Sequence, residues 1–380
     1  MKKFLSVILA LVIALSCCIF AVAEDSAPDI EALKARFVAG EGPVADGYSI
    51  DYMSYSPVGE NDSTKYPLVV LLHGMTEGAE PGAQIERSNF PLWASDEMQS
   101  RFKGTGGAFL LVARSREEDG LYWANQLIVP LKAAIDDFIA KNSEHIDTSR
   151  IYIGGFSMGG KMTLKMAASY PRFFAAAFPM CPAHEFTTVE LSTLTQMPIW
   201  ISASRYDVLA GYYTYTSDIW DKLMAISAVK SDCRISIFGK VCYPDGTPTS
   251  SNHHVWFAVL NDMFTSDGGK YYNMETFDGN GNKIDLTYPD GMISWLSSCS
   301  TDRSGDKPEP SGAIALSENT ILSFKNMLWP MIRCLFRIVA SEVKGLLCLN
   351  RIREPLHQMM RRLICIYALK FRSLSCGGSR

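Results

Sequence analysis

The chain has 380 residues, is 47% hydrophobic and carries a net charge of −4, which is enough apolar material for one large domain or two small ones. The charge is unevenly spread: residues 24–312 hold 23 Lys/Arg against 37 Asp/Glu, and residues 313–380 hold 11 against 3. An acidic body without a basic groove argues against nucleic acid as a partner.

At the N-terminus, Lys2 and Lys3 precede an apolar run from Phe4 to Phe20, and Ala21-Val-Ala23 offers a small-x-small cleavage site before Glu24. Residues 1–23 therefore read as an export signal, which places the protein outside the cell. An uncleaved anchor helix is the rival reading, since the run is about long enough to span a bilayer. A lipoprotein anchor at Cys17 or Cys18 fits less well, because the residues before each depart from the usual Leu-small-small-Cys pattern.

Beyond the signal, strand-like apolar runs alternate with helical spacing, the pattern of a mostly parallel sheet with helices on both faces. In chain order the expected elements are strands at Pro67–Leu72 and Ala108–Ala113, a helix over Ile128–Lys141, a strand at Ile151–Gly154 and a helix over Gly160–Tyr170. Strands follow at Phe174–Met180, Pro198–Ser204 and Arg234–Phe238, with a helix over Tyr213–Val229 between the last two. A hairpin over Tyr271–Leu286 turns at Asp278-Gly-Asn-Gly-Asn282, and a short helix at Met292–Ser297 closes a domain spanning 24–300. Residues 301–312 are polar, with Pro308 and Pro310, and read as a linker.

The remaining segment, 313–380, is basic and rich in Leu, Ile, Arg, Met and Cys. Arginines and lysines interrupt its apolar runs, so no stretch of it suits a bilayer span. It reads as sequence outside the folded body, with a basic amphipathic anchor as the alternative. Membrane contact is thus expected only through an uncleaved signal or this tail. Of ten cysteines, Cys181, Cys233, Cys242 and Cys299 fall in the body. After export they meet an oxidising compartment, and Cys233 with Cys242, flanking one predicted strand, is the first pair to consider for a bridge; buried thiols are the alternative. No C-x-x-C or zinc-type spacing occurs.

The most informative stretch is Gly155-Phe-Ser157-Met-Gly159, set between a strand and a helix. A sharp strand-to-helix turn lifts the central serine hydroxyl above the sheet, and glycines two before and two after avoid a collision. Serine is a poor nucleophile unless a base takes its proton, and the base needs an orienting carboxylate. From Leu191 to Ser217 the one acidic residue is Asp207, just past a predicted strand. Among six histidines, His253 and His254 follow the next strand, where the order Ser…Asp…His wants the base. His73-Gly74-Met75 ends the first central strand. There the N–H of Met75 joins that of Met158 at the helix start, as two donors for a tetrahedral oxyanion.

With these residues in hand, the segments Leu71–Met75 and Asp147–Gly160, with the Asp207 and His253 regions, resemble the α/β-hydrolase superfamily over about residues 45–300. The likeness is greatest to secreted esterases related to polyhydroxybutyrate depolymerases, feruloyl esterases and acetylxylan esterases. The resemblance implies an α/β-hydrolase fold and carboxylic ester hydrolysis through an acyl-enzyme, with Ser157 attacking, His253 shuttling the proton and Asp207 orienting it, and with no metal and no organic cofactor. In such enzymes a tryptophan often stands three residues after the catalytic histidine, which favours His253 over His254 through Trp256. Asn252 departs from the family, which often has glycine there. Phe156, Trp123 and Trp256, with Tyr122, Tyr212 and Tyr213, are expected to line an aromatic cleft for the substrate, an ester that includes polysaccharide-linked ones. The alternatives are a serine peptidase of prolyl-oligopeptidase type, for whose propeller the stretch before Pro67 is too short, a catalytically silent glycan-binding protein, and a tail-anchored lipase.

Overall fold

A computed structural model describes residues 28–60, 62–243, 246–262, 274–286 and 291–302. The expected export signal and basic tail lie outside these residues, as does most of the expected linker. Among the described residues ten strands form one sheet: β1 (Val38–Glu41), β2 (Asp51–Tyr55), β3 (Tyr66–Leu72), β4 (Phe109–Ala113), β5 (Ile146–Phe156), β6 (Ala176–Met180), β7 (Trp200–Ser204), β8 (Arg234–Phe238), β9 (Met274–Asp278) and β10 (Lys283–Ile284). Their spatial order is β1-β2-β4-β3-β5-β6-β7-β8-β9-β10. The central strands from β4 to β8 run parallel, and antiparallel pairs finish both edges.

Side-chain alternation divides the core into two layers. From β3, Val69 and Leu71 enter one cluster while Leu68, Val70 and Leu72 enter the other. From β4, Leu110 and Val112 oppose Phe109, Leu111 and Ala113 in the same way. Because both faces are covered, these strands read as unbroken apolar runs rather than as alternating ones. Helices α1 (Ile128–Lys141), α2 (Met158–Ser169) and α3 (Ser217–Ile226) cover one face. The segment around Phe90–Phe102, with α4 (Trp256–Leu260) and α5 (Met292–Ser297), covers the other. The expected three-layer architecture is present.

Two departures have simple physical causes. Strands β1 and β2 escape the sequence reading because they lie at an edge, mostly exposed or half-buried, and carry no apolar run. The expected Cys233–Cys242 bridge is not formed. Cys233 precedes β8 and packs in one core layer, whereas Cys242 lies beyond its far end and packs in the other. Five strand residues at about 3.3 Å each separate the two cysteines by far more than a disulfide spans. The hairpin is present, with β9 adding antiparallel to β8 and the Asp278 carboxylate accepting the N–H groups of Asn280 and Asn282.

Topology places the site. Chain progression steps from β3 outward to β4, then returns across to β5, so the order reverses between neighbours β3 and β5. In open α/β sheets ligands bind outside the carboxyl ends of strands at such a switch point. His73 follows β3 there, and Ser157 follows β5.

Candidate active site

Ser157 stands between β5 and α2 with φ 56° and ψ −116°, a conformation that costs a non-glycine residue roughly 1–3 kcal/mol. The elbow is held from several sides. Ser157 N–H donates to the Met180 carbonyl at 2.9 Å, and the Ser157 carbonyl accepts from Lys161 N at 3.0 Å and Ala183 N at 3.2 Å. A Cβ at Gly155 would meet the Leu72 carbonyl oxygen, and one at Gly159 would meet those of Leu72 and His73. The flanking glycines are therefore required by close approach of backbone to backbone. Met158 is the first residue of α2, a twelve-residue helix whose leading N–H groups lack partners within the helix and whose dipole favours negative charge.

Asp207 follows β7 in a tight turn. Its Oδ1 accepts the N–H groups of Leu209 at 2.8 Å and Ala210 at 3.0 Å. That leaves Oδ2 for His253 Nδ1, 2.7 Å away, in a pair that is almost wholly buried. Burial opposes a charge on His253. The neighbouring Cys181 and the Asp207 carboxylate more than offset that, and the imidazole is pushed up to about 10. His254 has different surroundings: its Nδ1 lies 3.4 Å from Ser250 Oγ, its ring lies against Trp256, and burial lowers its pKa. Of the two candidate bases, the structure brings His253 to Asp207.

The loop carrying His253 is fixed by neighbours that the sequence reading placed elsewhere. Asn252, the departure from the family pattern, accepts the Val241 N–H through Oδ1 at 3.1 Å, tying the loop to the segment after β8. Trp256 stacks on Phe156 with ring centroids 4.2 Å apart and planes at 15°, and meets the His253 ring edge-on at 5.5 Å. Trp256 thus docks the histidine loop onto the residue that precedes Ser157.

This arrangement corrects the expected aromatic cleft. Phe156 and Trp123 are entirely inside the core, and Trp256 is nearly so. Trp123 donates its indole N–H to the His73 carbonyl at 2.9 Å. His73 itself is fully buried. Burial above all, helped by the Arg114 charge, pushes its pKa down to about 3. The neutral ring accepts Ser115 N–H at Nε2, 2.9 Å away, and Nδ1 donates to the Gly74 carbonyl at 2.8 Å. These contacts brace the loop that presents Met75, whose side chain is 53% exposed. Tyr122 and Tyr213 remain exposed and Tyr212 half-buried.

Cys181 was not singled out from the sequence. It follows β6 directly, and its thiol donates to the His253 carbonyl at 3.4 Å. Its position in chain order gave one usable signal: it ends the strand between those that end in Ser157 and Asp207.

A strained serine at a helix start after β5, and a buried Asp–His pair from the segments after β7 and β8, are the residue types on which serine hydrolases rely. Residues 129–228, which include Ser157 and Asp207, match the prolyl oligopeptidase family. Dipeptidyl aminopeptidase A of Saccharomyces cerevisiae is 32% identical over 130 residues, which is 32% of this chain and 13% of that protein. Poly(3-hydroxyalkanoate) depolymerase C of Paucimonas lemoignei is 32% identical over 120 residues, 30% of this chain and 27% of that protein. The matches thus take in about an eighth and about a quarter of the lengths of these relatives. A solved thermostable esterase superposes with a TM-score of 0.53 at 23% identity, covering 71% of this chain and 64% of the other, a likeness of fold.

Proposed function

We propose that this chain, which has the α/β-hydrolase fold, is a secreted serine esterase that cleaves carboxylic esters through Ser157, His253 and Asp207. The observation that carries the reading is the buried 2.7 Å contact between His253 Nδ1 and Asp207 Oδ2, held open to one partner by the two backbone donors on Oδ1. With Nδ1–H committed to Asp207, the lone pair of His253 lies on Nε2, the atom that takes the serine proton. Ser157 Oγ then attacks the acyl carbon, and the oxyanion is met by the N–H groups of Met158 and Met75. The imidazolium returns its proton to the leaving alcohol, and water releases the acyl group by the same steps in reverse. Asp207 stabilises the imidazolium without taking the proton.

The acid loop supports an apolar or aromatic acyl group. Tyr206, Val208, Leu209 and Tyr213, on either side of Asp207, all expose their side chains. Aryl, short-chain and polysaccharide-linked acyl esters are the substrate class we infer from this rim, and the depolymerase relative is named for cleaving a polyester. A panel of feruloyl, acetyl-xylan, short-chain aryl and polyhydroxybutyrate esters tests it; turnover of none of them overturns the esterase reading. The family match over 129–228 and the aminopeptidase relative favour a second reading, a serine peptidase. Dipeptide anilides run beside the esters separate the two. Export rests on Lys2, Lys3 and the apolar run before Ala23, and a secreted product whose mass retains residues 1–23 refutes signal cleavage.

A further inference from the structure

Cys181 Sγ, a carboxylate oxygen of Asp207 and a ring nitrogen of His253 lie within 4.8 Å of one another, and all three residues are buried. The thiol takes part in no bond-making or bond-breaking step of the ester chemistry. It is nevertheless firmly placed: Cys181 has φ 36°, and its N–H donates to the Ser202 carbonyl at 2.7 Å. Its Sγ reaches the His253 carbonyl at 3.4 Å. Thiolate, imidazole and carboxylate together make the donor set of zinc and of softer divalent ions. With metal–ligand bonds of about 2.0–2.3 Å, tetrahedral donors stand roughly 3.3–3.8 Å apart. The three donor atoms are therefore within about 1 Å of a tridentate arrangement.

We propose that Cys181, Asp207 and His253 form an inhibitory site for a soft divalent cation, zinc or cadmium. The proposal rests on the reading of His253 as the base. On binding, bonds form from the metal to Sγ, to Nδ1 of His253 and to a carboxylate oxygen; the thiol proton leaves to solvent, and the single ring hydrogen exchanges from Nδ1 to Nε2, so that the ligating imidazole stays neutral. Through Nδ1 the metal takes the place of the shared proton, and Nε2, now carrying the ring hydrogen, has no lone pair for the serine proton. The adjacent dication also disfavours an imidazolium, and proton transfer stops.

The test uses the full chain and cadmium chloride. Two readouts are taken for the wild type and for Cys181→Ser, with Cys181→Ala as a second variant should the serine form fail to fold. One is the ultraviolet thiolate-to-cadmium absorption. The other is the rate of fluorophosphonate labelling and of ester hydrolysis, each normalised to the same protein without metal. The expected result is a Cys181-dependent absorption of one equivalent and a half-inhibitory concentration raised at least about tenfold in the variants. Equal inhibition of wild type and variants, or no absorption that depends on Cys181, overturns the site. Cadmium binding at Cys181 in a protein that hydrolyses no ester would refute the esterase reading and leave the metal site standing. An active esterase indifferent to cadmium would do the reverse.

Discussion

Replacing Asp207 by asparagine keeps the side chain's shape and removes its charge. Oδ1 can still accept from Leu209 and Ala210, so the turn after β7 survives. At the other position an amide N–H₂ replaces the carboxylate oxygen that lies 2.7 Å from His253 Nδ1. A donor now faces Nδ1, the ring adopts the opposite tautomer, and Nε2 carries the hydrogen that should come from serine. The rise of His253 from 6.5 to about 10 corresponds to on the order of 5 kcal/mol of preference for the imidazolium. Asp207 shares that preference with Cys181. Losing the Asp207 share together with the correct tautomer predicts a fall in kcat of about 10³–10⁴ with KM little changed. The pH dependence carries a second signature. His253 acts as a neutral base, so the wild-type kcat/KM rises through a limb displaced to the alkaline side of 6.5, and the variant's limb moves back toward acid. Stability follows the same raised pKa: the contribution of the pair is full below about 6.5 and is lost as pH rises through about 10. Wild type should therefore exceed the variant in Tm at pH 6 by more than at pH 10.5. Steady-state kinetics and thermal melts across that range check both statements. A variant with undiminished kcat and an unmoved limb refutes the reasoning.

Three further predictions follow from the same contacts. His253→Ala should lose roughly 10⁴–10⁶ in kcat while His254→Ala stays within severalfold of wild type, as parallel ester assays would read. Trp123→Phe leaves the buried His73 carbonyl without its 2.9 Å donor; denaturant unfolding should show a loss of about 1–3 kcal/mol, and a displaced Met75 loop should lower kcat more than it changes KM. Asp262 is fully buried against Arg101 and the start of α5, and burial raises its pKa to about 6, opposed by Arg101 and by the Ile293 and Met292 N–H groups. An acid with a raised folded pKa stabilises below its unfolded value and loses that contribution as pH rises, here about 3 kcal/mol between pH 4 and 6. Asp262→Asn should flatten the stability profile over that interval.

The central strands were legible because burial on both faces leaves long apolar runs, as at Leu68–Leu72 and Phe109–Ala113. The nucleophile turn was legible because two backbone clashes dictate two glycines at fixed spacing. Strands β1 and β2, the outermost pair on one side of the sheet, bear half-polar sequences, and nothing local distinguishes them from loops. Trp123 was misassigned for a related reason: whether a tryptophan lines a cleft or braces a loop depends on what lies opposite its N–H, here a carbonyl 50 residues away. Cys181 lies 72 residues from His253 in sequence, and only the side-by-side order of β6, β7 and β8 brings their ends together.

The most direct measurement of the central claim is peptide mass spectrometry after treatment with a serine-directed fluorophosphonate. The account predicts one adduct per chain, on Ser157, that is abolished in Ser157→Ala and formed far more slowly in His253→Ala. An adduct on another residue, or a wild-type Ser157 that stays unlabelled, would contradict it.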